Sequence, residues 1–178
     1  MNVGAMLALR PAPWRASAIA RVTVGCVPPR ETNSMSDKVF LDTNVLVYAH
    51  EPSLGIKHDR ARALVDKLWN TGDGVLSTQV LQELCVSLRR KMANPWTVEE
   101  TRDLILDYMD WQIVINTPDS VIDALAIETR YQISFWDALI IHAAETSGAA
   151  ILYSEDLSDG QTYGSVRVVN PLTETVSD

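Results

Sequence analysis

Short apolar runs alternate with longer segments of helical spacing along the chain from Lys38 onward. Such runs, bounded by polar or turn residues, are typical of buried strands, and the segments between them have lengths that suit crossovers between parallel strands. The predicted strands cover residues 39–41, 74–77, 112–115, 149–153 and 166–169, and the predicted helices cover about 58–70, 78–93, 97–110, 118–130 and 135–146. This alternation predicts an α/β fold with a mostly parallel central sheet.

Capping signals mark several of these boundaries. Thr97 and Glu100 have the spacing of a capping box at a helix N-terminus. Pro118 would occupy the first position of the next helix, and Gly148 would end the helix that precedes the fourth strand. The local signals therefore agree with the apolar pattern.

The composition is typical of one globular domain. The chain has 178 residues, of which 47% are hydrophobic. No apolar stretch approaches the roughly 18 residues that a membrane-spanning helix needs. Cysteine is sparse, since Cys26 lies in a Pro-rich segment and Cys85 in an apolar helical pattern, so neither a disulfide framework nor a zinc site is expected. We therefore expect a soluble protein of the reducing cytoplasm.

Residues 1–34 differ from the rest of the chain. They show neither helical nor strand periodicity, contain four prolines and four arginines, and end in a polar run. We interpret them as a disordered extension, residues 35–178 as the folded domain, and Met35 as the true start of translation. Mass spectrometry of the native protein that finds peptides from before Met35 would contradict that start.

The charge is uneven and mostly negative. The formal net charge is −8, and the four arginines and single acid of residues 1–34 amount to +3, which leaves −11 for the remainder. A body of this charge does not attract nucleic acid by its long-range field. Binding of nucleic acid would require local compensation by metal ions or by a basic patch.

Four acidic residues are expected near one edge of the sheet. In an open parallel sheet, ligands bind at the carboxyl ends of the strands, where loops meet helix N-termini. Asp42 ends the first predicted strand, and Asp156 follows the fourth. Glu83 borders the apolar stripe of its helix, and Asp137 is flanked by apolar residues in the first turn of another helix, so both can point along the edge of the core.

A cluster of four carboxylates implies a role for metal ions, because the charges would repel one another without divalent cations to neutralise them. Mg²⁺ and Mn²⁺ prefer carboxylate and water oxygens, and Mg²⁺ pairs with substrate phosphates. The implied chemistry is phosphodiester hydrolysis, in which one or two metal ions activate a water and stabilise the leaving oxygen. Thr43, Asn44 and Ser154 could orient waters or ligating oxygens.

Each acid also has an ordinary explanation. Asp42 could be a loop acid after a strand, and Glu83 a solvated helix residue. Asp137 could form a loose capping box with Ser134, and Asp156 could open a helical turn. The constellation favours a site because four such acids at one edge of a sheet are unexpected by chance.

Other residues that could carry chemistry are assigned structural roles. His50, His58 and His142 lack the spacing of metal ligands, so surface or packing roles are expected. Trp136 is expected in the core rather than as a platform for base stacking. The basic run at residues 89–91 is expected to complement the dipole of its helix rather than to contact phosphate.

Four segments resemble the successive motifs of PIN domains, and their order and spacing resemble VapC-type toxins of bacterial type II toxin-antitoxin pairs. The resemblance covers roughly residues 37–171. The segments are FLDTNVLVYA at 40–49, LSTQVLQEL at 76–84, SFWDALII at 134–141 and ILYSEDL at 151–157.

The resemblance implies an α/β/α sandwich with four to five mostly parallel strands and Mg²⁺- or Mn²⁺-dependent endoribonuclease activity. It further implies a homodimer and a cognate antitoxin whose tail enters the acidic groove. Glu155 is an extra acid beside the fourth position, and the spacing from Ser154 favours Asp156 as the ligand. The catalytic and metal-binding acids of the family fall on Asp42, Glu83, Asp137 and Asp156, with Asn44 at the polar position after the first acid.

Two other functions are weighed against this one. A haloacid-dehalogenase-like phosphatase would use Asp42 as its nucleophile, but that motif needs a second Asp two residues on, where this chain has Asn44. A non-catalytic PIN-like module would bind RNA or a protein partner without cleavage, although the intact set of acids argues against decay of the site.

Overall fold

The apolar runs become the strands of one mixed sheet in the computed structural model, which describes residues 38–173. The strands β3, β2, β1, β4 and β6 lie side by side in parallel, and β5 pairs antiparallel with β6 at one edge. The predicted mostly parallel sheet is confirmed, and the short β5 adds a sixth strand. The bounds are β1 (Val39–Leu41), β2 (Gly74–Ser77), β3 (Gln112–Val114), β4 (Ile151–Tyr153), β5 (Thr162–Tyr163) and β6 (Val166–Val169).

Helices flank this sheet and connect its strands. The α-helices within residues 38–173 are α1 (Thr43–Ala49), α2 (Ile56–Thr71), α3 (Thr78–Arg90), α4 (Val98–Tyr108), α5 (Pro118–Tyr131) and α6 (Phe135–Ser147), and a 3₁₀ helix covers Pro52–Leu54. The five predicted helices are confirmed to within about one turn, the usual scatter of helix ends. The capping box of Thr97 and Glu100, Pro118 in the first turn of α5 and left-handed Gly148 after α6 are all present.

Helix α1 is, like strand β5, an element that the apolar pattern does not predict. It spans seven residues, too few for the helical period to be read against a continuous apolar run. Val45, Leu46 and Ala49 are fully buried in it, so packing rather than local propensity selects the helix. Because α1 begins directly after Asp42, the chain turns sharply at the end of β1.

The core lies between the sheet and the helices. Phe40 in β1, Leu76 in β2 and Leu152 in β4 are fully buried, and Leu84 and Leu88 of α3 are fully buried as well. Central strands that are covered on both faces read as continuous apolar runs rather than as alternating patterns. This explains why the strands were recognisable in the sequence.

A group of aromatic rings packs beside β2. The rings of Trp69, Tyr108 and Trp111 lie 5.3 to 5.7 Å apart between centroids. A Cβ atom at Gly74 would lie 2.3 Å from the Trp111 ring, so the strand needs a glycine there. His50 Nε2 lies 3.0 Å from the Tyr108 hydroxyl, and burial lowers the pKa of His50 to about 3. A neutral, buried His50 agrees with a packing role.

Several predictions fall on the ends of the chain. The predicted disordered extension, residues 1–34, and the proposed start at Met35 lie outside the described residues, as does Cys26.

Cys85 is a free, half-buried thiol. None of the described helices is both long enough and apolar enough to cross a membrane.

Candidate active site

Asp42 and Asp156 meet because they follow neighbouring strands. Leu41 at the end of β1 pairs with Tyr153 at the end of β4, so the residues after these strands emerge at the same edge. The backbone N–H of Asp42 donates to Tyr153 O at 3.0 Å. Ser154 is fully buried, and its hydroxyl donates to Asp42 Oδ2 at 2.7 Å.

Asn44 links the two carboxylates. Its side-chain nitrogen Nδ2 donates to Asp42 Oδ2 at 3.2 Å and to Asp156 Oδ2 at 3.0 Å. Its oxygen Oδ1 is buried and has no hydrogen-bond partner within the described part of the chain. A buried acceptor without a donor is costly, so this oxygen is suited to a water or a cation beside the two acids.

Glu83 is held from both sides on α3. Its Oε2 accepts a hydrogen bond of 2.8 Å from the Thr43 hydroxyl, and its Oε1 accepts one of 2.9 Å from Gln79 Nε2. Gln79 lies one helical turn before Glu83 and is only 4% exposed. The same nitrogen of Gln79 donates to the backbone oxygen of Trp136 at 3.3 Å. These contacts fix the Glu83 carboxylate relative to α1 and α6.

The three acids line one open cavity of about 580 Å³. One wall is a single face of α3, because residues 79, 82, 83, 86 and 87 recur at spacings of three and four. Lys91, which follows α3, lies at the cavity as well. The complete lining is Asp42, Thr43, Asn44, Val47, Tyr48, Gln79, Gln82, Glu83, Val86, Ser87, Lys91, Trp136 and Asp156.

The carboxyl group of Asp42 has a raised pKa. Burial raises the pKa of its carboxyl to about 6, and the negative charges of Asp156 and Glu83 act in the same direction. Hydrogen bonds from the Ser154 hydroxyl and the Thr43 backbone N–H oppose that rise. At neutral pH the cavity therefore concentrates negative charge that a cation would stabilise.

The donor atoms suit a hard divalent cation. Carboxylate and amide oxygens are the ligands that Mg²⁺ and Mn²⁺ prefer. Within residues 38–173, no group of three or more His, Cys, Asp or Glu side chains is gathered closely enough to enclose a metal ion. Mg²⁺ keeps several waters and is usually bound through one or two carboxylates, so it does not require such a cage. The residues fit a hydrated ion held at Asp42 and its neighbours.

Asp137 and Glu155 stand apart from these acids. Asp137 is in the first turn of α6, but its Oδ2 accepts a hydrogen bond of 2.8 Å from the Ser134 hydroxyl, and it does not line the cavity. Glu155 accepts hydrogen bonds from the Tyr48 hydroxyl and the Lys57 ammonium, which lower the pKa of its carboxyl. The structure thus brings three of the four predicted acids together and pairs Glu155 with a cation.

Trp136 departs most from the sequence analysis. The expectation that it belongs to the core is wrong, because its side chain is 61% exposed and lines the cavity. Phe135 packs against the core cluster of Ala124, Ala138 and Leu139, whereas Trp136, the next residue of α6, lies on the exposed side of the helix. Gln79 was also missed, although its spacing of four from Glu83 places both on one face of a helix.

A profile of the PIN domain matches residues 39–158, a span that contains all of the acids discussed above. The chain belongs to the PIN domain family. The resemblance drawn from the four motifs is therefore confirmed, as is the α/β sandwich that it implied.

Solved structures of toxins share this PIN fold. VapC20 of Mycobacterium tuberculosis, a sarcin-ricin loop cleaving toxin, is 19% identical with a TM-score of 0.51, covering 73% of this chain and 99% of that one. A toxin-antitoxin complex from Klebsiella pneumoniae is 16% identical with a TM-score of 0.56, covering 75% and 98%. VapBC2 from Rickettsia felis, bound to a promoter DNA fragment, is 18% identical with a TM-score of 0.52, covering 73% and 96%. A search of curated proteins finds no significant match.

Proposed function

We propose that this PIN-domain protein is a metal-dependent endoribonuclease that hydrolyses RNA phosphodiester bonds and acts as the toxin of a toxin-antitoxin pair. The observation that carries the proposal is the convergence of Asp42, Glu83 and Asp156 on one open cavity at the carboxyl edge of the sheet. VapC-like PIN proteins are ribonucleases as a family, and one structural neighbour is a toxin that cleaves the sarcin-ricin loop.

The residues of the cavity divide into those that hold a cation and those that orient them. Asp42, Glu83 and Asp156 would bind Mg²⁺ or Mn²⁺, which when bound lowers the pKa of a water and neutralises phosphate charge. Asn44 and Ser154 hold the Asp42 carboxylate through hydrogen bonds. Thr43 of α1 and Gln79 of α3 hold the Glu83 carboxylate in the same way, through hydrogen bonds.

Asp137 belongs to the proposed acid set because of the family motif. It follows Trp136, which lines the cavity, but Asp137 itself is not among the lining residues. Its present partner is the neutral Ser134 hydroxyl rather than a cation, so no ion pair has to break for the carboxylate to take part. A single hydroxyl-to-carboxylate hydrogen bond at a solvent-exposed position contributes only a modest net free energy, because water can replace it.

Cleavage of RNA by the purified full chain tests the proposal. We expect cleavage that requires Mg²⁺ or Mn²⁺, stops with EDTA, and falls at least a hundredfold in Asp42→Asn and Asp156→Asn, because each variant removes a charged metal donor. Asp103→Asn is the matched control, since Asp103 is an exposed acid outside the cavity. Cleavage that persists in Asp42→Asn would refute the assigned site.

The partners form a separate part of the proposal. An antitoxin partner is supported by the structural neighbours, which include toxin-antitoxin complexes. The negative cavity suits a basic antitoxin tail. A homodimer is supported by the exposed apolar residues Val121, Ile122 and Leu125 on one side of α5. The protein would act in the cytoplasm, where cellular RNA is found.

Two alternatives have distinct outcomes in the same assays. A non-catalytic PIN-like module would bind RNA but leave diverse RNAs uncut with either metal. A phosphatase would accumulate phosphoaspartate on Asp42 after incubation with a phosphate ester. The structure argues against the phosphatase because Asn44, at the place of the second acid, carries an amide that cannot serve as a general acid.

A further inference from the structure

An exposed tryptophan borders the acidic cavity. Trp136 is 61% exposed, although burying an aromatic ring of this size would stabilise the folded protein. Its ring packs edge-on against Phe135, with centroids 5.3 Å apart at 72°, which restrains one edge and leaves ring surface toward the cavity. Such exposure beside a candidate active site indicates a binding surface.

The position of Trp136 is tied to Glu83. Gln79 Nε2 donates to Glu83 Oε1 at 2.9 Å and to the Trp136 backbone oxygen at 3.3 Å. Gln79 is almost fully buried, so this connection is well fixed. The backbone of Trp136 and the Glu83 carboxylate are therefore joined through one side-chain amide, and both residues line the same cavity.

The charge of the cavity limits how RNA can be attracted to it. The residues that line the cavity include three carboxylates and one cation, Lys91. The formal net charge of the whole chain is −8. Phosphate contacts alone supply little attraction in such a place. Stacking of a base on an aromatic ring does not depend on charge and is open to every base, because each has a π-face.

We propose that Trp136 is the base platform of this site and stacks on the unpaired nucleobase next to the scissile phosphate. This inference rests on the proposed RNA cleavage and adds the residue that selects a splayed-out nucleotide at the cut. A base inside a helix is stacked on its neighbours, so the platform favours loops and single strands at that nucleotide.

The test compares Trp136→Ala and Trp136→Phe in the full chain, with single-stranded RNA of mixed sequence as the substrate. We expect the alanine variant to raise KM by about tenfold or more, the scale of one base–aromatic stack, with kcat little changed. The phenylalanine variant should stay near the wild-type KM. Met109→Ala is the matched control, because Met109 is equally exposed at 61% but does not line the cavity.

Two further readouts separate stacking from a structural effect. A series of RNA substrates would each carry one abasic ribose at a different position. The KM values of wild type and Trp136→Ala should become equal for the substrate whose abasic ribose occupies the stacked position. In an Asp42→Asn background, which blocks cleavage, RNA should quench tryptophan fluorescence, and Trp136→Phe should abolish that quenching. The second measurement needs no catalysis.

The outcomes distinguish this inference from the proposed nuclease function. Cleavage that requires Asp42 but shows the same KM in wild type and Trp136→Ala would overturn the platform and leave the nuclease intact. If RNA quenched Trp136 fluorescence but the wild-type protein cut no RNA with Mg²⁺ or Mn²⁺, the nuclease proposal would fail, and Trp136 would stack bases in an RNA-binding module rather than beside a scissile phosphate. If Trp136→Ala cleaved normally but escaped inhibition by the antitoxin, the ring would serve a protein partner, and the inference would be wrong.

Discussion

At the scale of single residues, the cavity contains a buried carboxyl group, that of Asp42, which is difficult to ionise. Asp42 is 7% exposed, and burial together with Asp156 and Glu83 raises its pKa to about 6. The metal-free folded protein therefore holds an unfavourable charge at neutral pH. A cation that binds there offsets this cost. The buried negative charge that lowers the stability of the metal-free fold therefore favours metal binding.

The pH dependence of stability follows from this shift. Between the ordinary pKa of 3.8 and the folded value of about 6, the folded protein binds more protons than the unfolded chain. The stability that Asp42 contributes is thus present below 3.8 and is lost as the pH rises through about 6. Above that pH and without metal, the free energy of unfolding of Asp42→Asn should exceed that of wild type by at most about 3 kcal/mol, because each unit of pKa shift corresponds to about 1.36 kcal/mol.

Denaturant titrations in EDTA at several pH values measure this difference. Comparison of the two proteins cancels the contribution of His50, whose lowered pKa makes stability rise with pH. Mg²⁺ should then stabilise wild type and leave Asp42→Asn nearly unchanged. A difference between the proteins that is constant across pH would contradict the assigned cause.

The choice between Glu155 and Asp156 is a second residue-scale prediction. Asp156 lines the cavity and is bridged to Asp42 through Asn44, whereas Glu155 is paired with Lys57. Asp156→Asn should therefore reduce cleavage by more than the roughly tenfold to hundredfold loss typical of groups that only orient ligands. Glu155→Gln should stay within a few-fold of wild type. Equal losses in initial-rate assays would show that both acids serve the site.

At the scale of elements, α3 provides one wall of the cavity from Gln79 to the residues beyond its end. The expectation that the basic run at residues 89–91 serves the helix dipole suits Arg89 and Arg90, which lie in the last turn. Lys91 differs, because it follows the helix and lines the cavity. Its ammonium group would contact a backbone phosphate of an RNA strand bound along α3.

Lys91→Ala should weaken RNA binding without changing the chemical step. We expect KM to rise and kcat to stay constant, and the slope of log KM against log salt to fall by about 0.7, the contribution of one phosphate contact on a single strand. Arg90→Ala is the matched control from the same basic run. An unchanged salt slope in Lys91→Ala would return this lysine to the helix-dipole role.

At the scale of the whole molecule, α5 carries a concentration of exposed apolar side chains. Val121, Ile122 and Leu125 are 40%, 65% and 45% exposed, and their spacing places them on one side of the helix. Ile115, which precedes the helix, is 70% exposed. An apolar surface of this kind is typical of a subunit interface.

Ile122→Asp should therefore convert the expected homodimer into a monomer, because it buries an unpaired charge in the interface. Light scattering coupled to size-exclusion chromatography measures the mass directly. Val98→Asp is the matched control, since Val98 is 54% exposed on α4. A wild-type protein that is already monomeric, or an Ile122→Asp variant that stays dimeric, would contradict this interface.

The sequence by itself determined the type and order of most elements. Buried parallel strands give continuous apolar runs, and caps such as Thr97, Pro118 and Gly148 act within a few residues of their own helix. Asp42 and Asp156 could be placed at one edge because each directly follows a strand of a parallel sheet.

Only the tertiary structure decided the rest. Helix α1 forms because distant residues bury its apolar run, which is equally compatible with an extended strand. Trp136 is exposed although most of the residues that follow it on α6 are buried, and the sequence does not show which side of the helix is covered. The hydrogen bond between Ser134 and Asp137, by contrast, is the capping contact that the sequence had indicated. Periodicity along a chain tells which side chains share a face, but whether that face is covered depends on neighbours far away in sequence.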